Sequence, residues 1–141
     1  MSTSRTTLAI AILLGQFLAT VAFGWAQTSR TLRERIPKPN PTKYRSVRDG
    51  VDWKNPYLVV RPDGVEIVGM TPVAHPIAVE SVPAVLEKLP DAAWPYGLIV
   101  AVQDVGIVGS IADTPRINAN RAKLLKLLQE LGVAVDPWPA A

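Results

Sequence analysis

Residues 6–29 carry no charged side chain, and within them lie two apolar runs, Leu8–Leu14 and Phe17–Phe23, separated only by Gly15-Gln16. A stretch with no polar face cannot be a surface helix of a water-soluble unit, so it sets aside the first part of the chain from whatever folds behind it. Arg5 supplies a short positive flank, and Gly24-Trp25-Ala26 offers small residues at the two positions a signal peptidase reads, which would leave Gln27 first. The same window is also long enough for a tilted membrane helix. Residues 1–26 are therefore expected to be a signal peptide or a membrane anchor. The apolar core and cleavage pattern favour export, with the rest of the chain periplasmic, or anchored to the inner membrane and facing outward. Basic residues on the C-terminal flank favour the alternative, an anchor that holds the domain in the cytoplasm.

Those bases define the next region. Arg30, Arg33, Arg35, Lys38, Lys43, Arg45 and Arg48 stand against only Glu34 and Asp49, whereas from Val51 onward acids outnumber bases. The whole-chain net charge of +3 thus misdescribes both parts. A basic stretch beside an apolar one suits an anionic membrane surface better than nucleic acid, which is not expected as a partner. Ile36-Pro-Lys-Pro-Asn-Pro-Thr42 alternates three prolines and favours a stiff, extended path. Residues 27–50 are accordingly expected to be a basic, proline-rich linker, and residues 51–141 a small α/β domain.

Within that domain the first strong signal is Tyr57–Arg61, Pro62-Asp63-Gly64, Val65–Val68. Proline presets the first turn residue, Asp bonds back to its backbone and Gly accepts unusual φ, so the two β-rich runs form a hairpin. Residues 70–80 read as a loop with a short extended piece at Ile77–Val79. Ser81 is placed to cap a helix with Pro83 in its first turn and Pro90 beyond its end. Leu98–Gln103 is a continuous apolar run, as in a central strand. A second helix begins near Pro115, capped by Asp113 or Thr114 and closed by Gly132. Ile117, Leu124, Leu128 and Leu131 form its apolar stripe, and Arg116, Asn120, Lys123 and Glu130 its wet face. Val133–Asp136 gives a last strand. The order ββαβαβ predicts an α/β (α+β) fold, a small mixed sheet with two helices on one face. The other face is left for solvent, the linker or a partner.

Chemical motifs are sparse. The chain has no cysteine and one histidine, His75, in a Pro-flanked loop, so no metal site or cofactor is expected. Gly106-Ile-Val-Gly109-Ser110 lacks both the three-glycine dinucleotide pattern and the Lys-Ser/Thr of a phosphate loop. Asp104, Asp113 and Asp136 lie near element ends, where paired carboxylates could do acid–base work. The aromatics are more suggestive. Trp53, Tyr57, Trp94, Tyr96 and Trp138 flank prolines or strand ends, where rings form binding platforms or seal the rim of a small core.

The runs Leu58–Gly69, Val82–Leu89, Leu98–Asp104 and Leu124–Ala134 together resemble the periplasmic domain of the ExbD/TolR biopolymer-transport family. The resemblance implies one N-terminal membrane helix, a linker and a small extracytoplasmic domain, dimeric through its sheet. That family's membrane helix carries an aspartate used in proton coupling, and residues 6–29 here contain no acid. What carries over is an envelope interaction domain rather than a motor. The expectation is a non-enzymatic, exported or membrane-tethered module that binds a protein or cell-wall partner. The competing expectation is a small hydrolase or ligand-binding enzyme using Asp104, Asp113 or His75 beside the Trp94 loop.

Overall fold

The computed structural model describes residues 30–69, 75–104 and 111–138. The apolar stretch of residues 1–26, the Gly106–Ser110 loop and residues 139–141 lie outside them. A folded unit begins at Thr31. Its elements are α1 (Leu32–Arg35), α2 (Pro41–Tyr44), β1 (Tyr57–Arg61), β2 (Gly64–Val68), α3 (Val82–Lys88), β3 (Ile99–Asp104), α4 (Thr114–Leu131) and β4 (Ala134–Trp138).

The strands form a mixed sheet in the order β2-β1-β3-β4, with β1 antiparallel to β2 and parallel to β3, and β3 parallel to β4. The hairpin forms as its turn chemistry requires. Gly64 is indispensable there because a Cβ would stand 2.1 Å from the Ile77 carbonyl oxygen, where Val65 and Ile77 bridge. The extended piece expected over Ile77–Val79 is reduced to that bridge, since Val79–Ser81 winds into a 3₁₀ turn that runs directly into α3. For the same reason Ser81 and Asp113 make no side-chain cap. Each precedes its helix in an αR conformation inherited from a 3₁₀ turn, whereas a capping side chain needs extended backbone. Gly132 closes α4 in the left-handed region, φ 76°, with its N–H on the Gln129 and Leu128 carbonyls.

Strand alternation sorts the sheet into two faces. Leu58, Val60, Val65, Ile67, Val100 and Val102 meet Val82 and Leu86 of α3 and Leu124 and Leu128 of α4 in one aliphatic core. Both helices therefore lie on one face. Each fully buried leucine there contributes about 1.5–3 kcal/mol relative to exposure.

Residues 31–48 are not a linker. Leu32 and Ile36 are buried in the aliphatic core, Leu98 N–H donates to the Pro37 carbonyl (2.9 Å), and Asn40 N–H donates to that of Tyr96 (2.9 Å). Further on, Tyr44, Val47 and Trp53 pack with Tyr57, Tyr96, Ile99, Ala101, Ala134 and Trp138 on the face opposite the helices. The segment is a strap that starts beside the helices and goes on to cover the second face. Proline periodicity misleads because it fixes φ without deciding what the flanking side chains bury. The strap passes so close to Gly97 (φ 89°) that a Cβ there would stand 2.4 Å from the Lys38 carbonyl oxygen.

Much of the strap's charge is committed inside the fold. Arg33 donates to the carbonyls of Leu131 (Nε, 3.2 Å), Gln129 and Glu130 (Nη2, both 3.5 Å) at the end of α4. Arg35 donates to those of Glu87 (3.0 Å) and Leu89 (3.4 Å) at the end of α3 and forms an ion pair with Asp91. Two arginines of one short helix thus neutralise the negative ends of both sheet-covering helices.

Candidate functional site

Asn55 anchors the strap where it reaches the second face. It is buried, its amide donates to the carbonyls of Gly97 (2.7 Å) and Ile99 (2.8 Å), and its Oδ1 accepts from Tyr96 N–H (2.9 Å). With both ends of the amide satisfied, the residue ties two loops together and leaves none of these backbone groups stranded.

Over that anchor the rings assemble. Trp53 contacts Tyr96 (centroids 5.0 Å), Trp138 (5.7 Å) and Tyr44 (5.8 Å) edge-on, and Tyr57 tilts against Trp138 (5.5 Å). Trp53 Nε1 donates to the Pro56 carbonyl (3.2 Å), and the Tyr96 hydroxyl donates to that of Asp52 (3.2 Å). Four of the five aromatics singled out in the sequence are therefore brought together. Trp94 is not among them. It is buried in the aliphatic core, its Nε1 without a hydrogen-bond partner among the described residues. Trp53 and Tyr96 are buried, so they support a surface rather than form one.

The surface itself lies at the margin of this cluster, between the strap and β4. Two adjoining hollows, of about 250 and 150 Å³, share Val47, Arg48 and Asp136. Tyr44 and Arg45 extend the lining on one side, and Pro137 and Trp138 on the other. Asp136 Oδ2 accepts from Trp138 Nε1 (3.0 Å), which fixes both side chains on the floor. Arg45 and Arg48 are exposed, and their guanidinium groups make no hydrogen bond or ion pair among the described residues. They differ in this from Arg33, Arg35 and Lys43, whose Nζ donates to the Pro95 carbonyl (3.3 Å). Sequence reasoning missed Tyr44, Arg45, Val47 and Arg48 as surface-forming residues. The available signal was the spacing Tyr44…Val47, two apolar residues three apart in an otherwise polar stretch.

The carboxylates do not gather beside the Trp94 loop. Trp94 precedes β3, whereas Asp104 ends it, and a strand of that length separates its ends by about 17–20 Å. Asp104 forms an ion pair with Arg121 (2.8 Å), and Asp113 stands at the start of α4. No group of three or more metal-ligating side chains occurs among the described residues. Asn120, placed by the sequence on the wet face of its helix, turns inward and donates to the carbonyls of Arg61 (2.8 Å) and Pro62 (3.2 Å) at the hairpin turn.

Among the described residues two protonation equilibria are shifted. Partial burial raises Tyr57 above its ordinary 10.0. A hydrogen bond from Lys123 Nζ (2.5 Å), with a smaller contribution from that residue's charge, holds the exposed Glu80 carboxyl below its usual range. Neither group lines the groove.

Comparison of the chain with protein-family profiles, with curated proteins and with solved structures finds no match. Among the described residues no helix is long and apolar enough to cross a membrane.

Proposed function

We propose that this chain is an exported or membrane-anchored interaction module, in which the unit from Thr31 presents a recognition surface to a protein or cell-wall partner of the envelope. The observation that carries the reading is the pair of uncommitted arginines, Arg45 and Arg48, held at a groove with a rigid aromatic floor. Exposed guanidinium groups beside ordered aromatic side chains are the usual chemistry of a recognition surface. The apolar, uncharged residues 6–29 support targeting to the envelope. The resemblance read in the sequence to the ExbD/TolR periplasmic domain belongs to the same reading, and pairing of two copies through the sheet is a further element of it.

The test is direct. Intact mass of the protein recovered from native membrane and soluble fractions, together with reporter fusions at the C-terminus, is expected to place the domain outside the cytoplasm. The mass will show whether residues 1–26 remain. A domain recovered wholly from the cytosol refutes the reading. Sedimentation analysis reports whether two copies associate.

A further inference from the structure

The uncommitted arginines have a more specific use than general attraction, and the argument deepens the interaction-module reading and rests on it. We infer that the groove between Pro41–Arg48 and Asp136–Trp138 docks an acidic peptide segment of a protein partner, with a carboxylate lying across Arg45 and Arg48.

Charge complementarity selects the occupant. Arg45 and Arg48 stand on the strap side with no guanidinium donor engaged among the described residues, and a carboxylate matches that planar donor set better than any other protein group. On the opposite side Pro137 and Trp138 offer apolar surface for the residue next to the acid, and Val47 adds to it from the strap. The two hollows, of about 250 and 150 Å³, are joined through Val47, Arg48 and Asp136, which suits a chain segment rather than a single small ion.

Other anions fit less well. A bilayer presents a flat sheet of negative charge, whereas Arg45 and Arg48 are set along a groove rather than on a plane. Nucleic acid requires a run of free cations along its backbone, whereas of the strap's other bases Arg33, Arg35 and Lys43 are engaged within the fold and Lys38 lies outside the groove.

Recognition is by side chains rather than by addition of a strand. Ala134 N–H donates to the carbonyl of Leu98, the residue before β3, so alternation turns the backbone groups of Val135 and residue 137 toward the open edge of the sheet. Position 137 is proline and has no N–H, which leaves the edge a broken template for pairing.

The experiment uses the full chain in neutral detergent micelles and a fluorescein-labelled peptide, Gly-Glu-Leu-Glu-Phe-Glu-Gly, followed by anisotropy. Its counterpart with Gln at each Glu is expected to bind about tenfold more weakly or not at all. Arg45→Gln and Arg48→Gln should each weaken binding about threefold, and the double variant about tenfold, in line with exposed charge pairs. Lys38→Gln removes an equally uncommitted cation outside the groove and should change binding by less than about twofold. Both arginines are exposed and unpartnered, so thermal unfolding of the double variant should match that of the unmodified chain.

Equal weakening by Lys38→Gln, equal binding of the Gln peptide, or undiminished binding by the double variant each overturns the proposal. Displacement of the peptide by short-chain phosphatidylserine overturns it in favour of lipid headgroups. Failure here with the domain still found outside the cytoplasm sinks only the peptide site. A cytosolic domain sinks the wider reading.

Discussion

The two faces of the sheet are covered in opposite ways. On one, α3 and α4 lay aliphatic side chains onto Leu58, Val60, Val100 and Val102, and both helices are adjacent in sequence to strands they cover. On the other, a strap with no long helix contributes Tyr44, Val47 and Trp53, and its backbone is secured by Asn55 and by the close approach to Gly97. The helix face follows from periodicity. The strap face depends on a few large rings and on polar groups that each have one matching partner. A sheet of this size needs both faces protected from water, and the comparison shows that irregular chain can serve as well as a helix when its rings are large.

Removing the largest ring gives the sharpest trial of that equivalence. Trp53→Ala should destabilise the unit by about 3–5 kcal/mol, comparable to Leu124→Ala on the helix face. Urea unfolding should show one transition moved in both variants. Two separate transitions for Trp53→Ala would break the comparison, because they would make the strap an independent layer.

Asn55→Ala probes the polar anchor. It strands the Gly97 and Ile99 carbonyls and the Tyr96 N–H, at a cost of about 2–3 kcal/mol, read from the same urea midpoint. Gly97→Ala combines a disfavoured φ with a collision against the Lys38 carbonyl and should cost about 2 kcal/mol. Limited proteolysis should then cut within residues 31–48 faster than in the unmodified chain, while α4 stays protected.

Smaller still is the electrostatic link between the strap and the helix face. Arg33→Gln and Arg35→Gln should each lose about 0.5–1 kcal/mol at low salt, and the loss should shrink as salt is added. An effect that ignores salt would assign these side chains to packing alone.

The least effect comes from Tyr57. Its raised pKa means the folded state holds the phenol proton more tightly than the unfolded chain, so this contribution is complete below pH 10.0 and is lost as pH rises through the folded-state value. Tyr57→Phe should therefore flatten the alkaline limb of the stability profile and leave neutral pH almost untouched.

How much of this could be read in advance divides along the same line. The hairpin, the central strand, the long helix and its glycine cap each follow from turn residues or a repeating apolar spacing within a short window. The strap does not, because Leu32, Ile36, Tyr44 and Trp53 bury themselves against residues far along the chain and no local period reports it. Charge, too, is legible in a sequence only as a sum. Seven bases near an apolar segment read as a membrane-facing tether, yet Arg33 and Arg35 point at carbonyls whose positions only the folded helices define. Of the aromatics, Trp53, Tyr57, Tyr96 and Trp138 were recognisable as a set by their proximity to prolines and strand ends. Trp94 shares that setting and goes elsewhere, since the turn at Asp91–Ala93 directs it to the aliphatic side.

The bond between Arg33 and Leu131 spans 98 positions of sequence. During synthesis the strap emerges well before the carbonyl it must reach. Until α4 has been synthesised, Leu32, Ile36 and Trp53 have no finished surface to cover them, and the nascent chain must carry these side chains in the open. Acquisition of the native state is thus coupled to contacts between residues far apart in sequence, a topology that slows folding and lengthens the interval in which a chaperone can act on the chain.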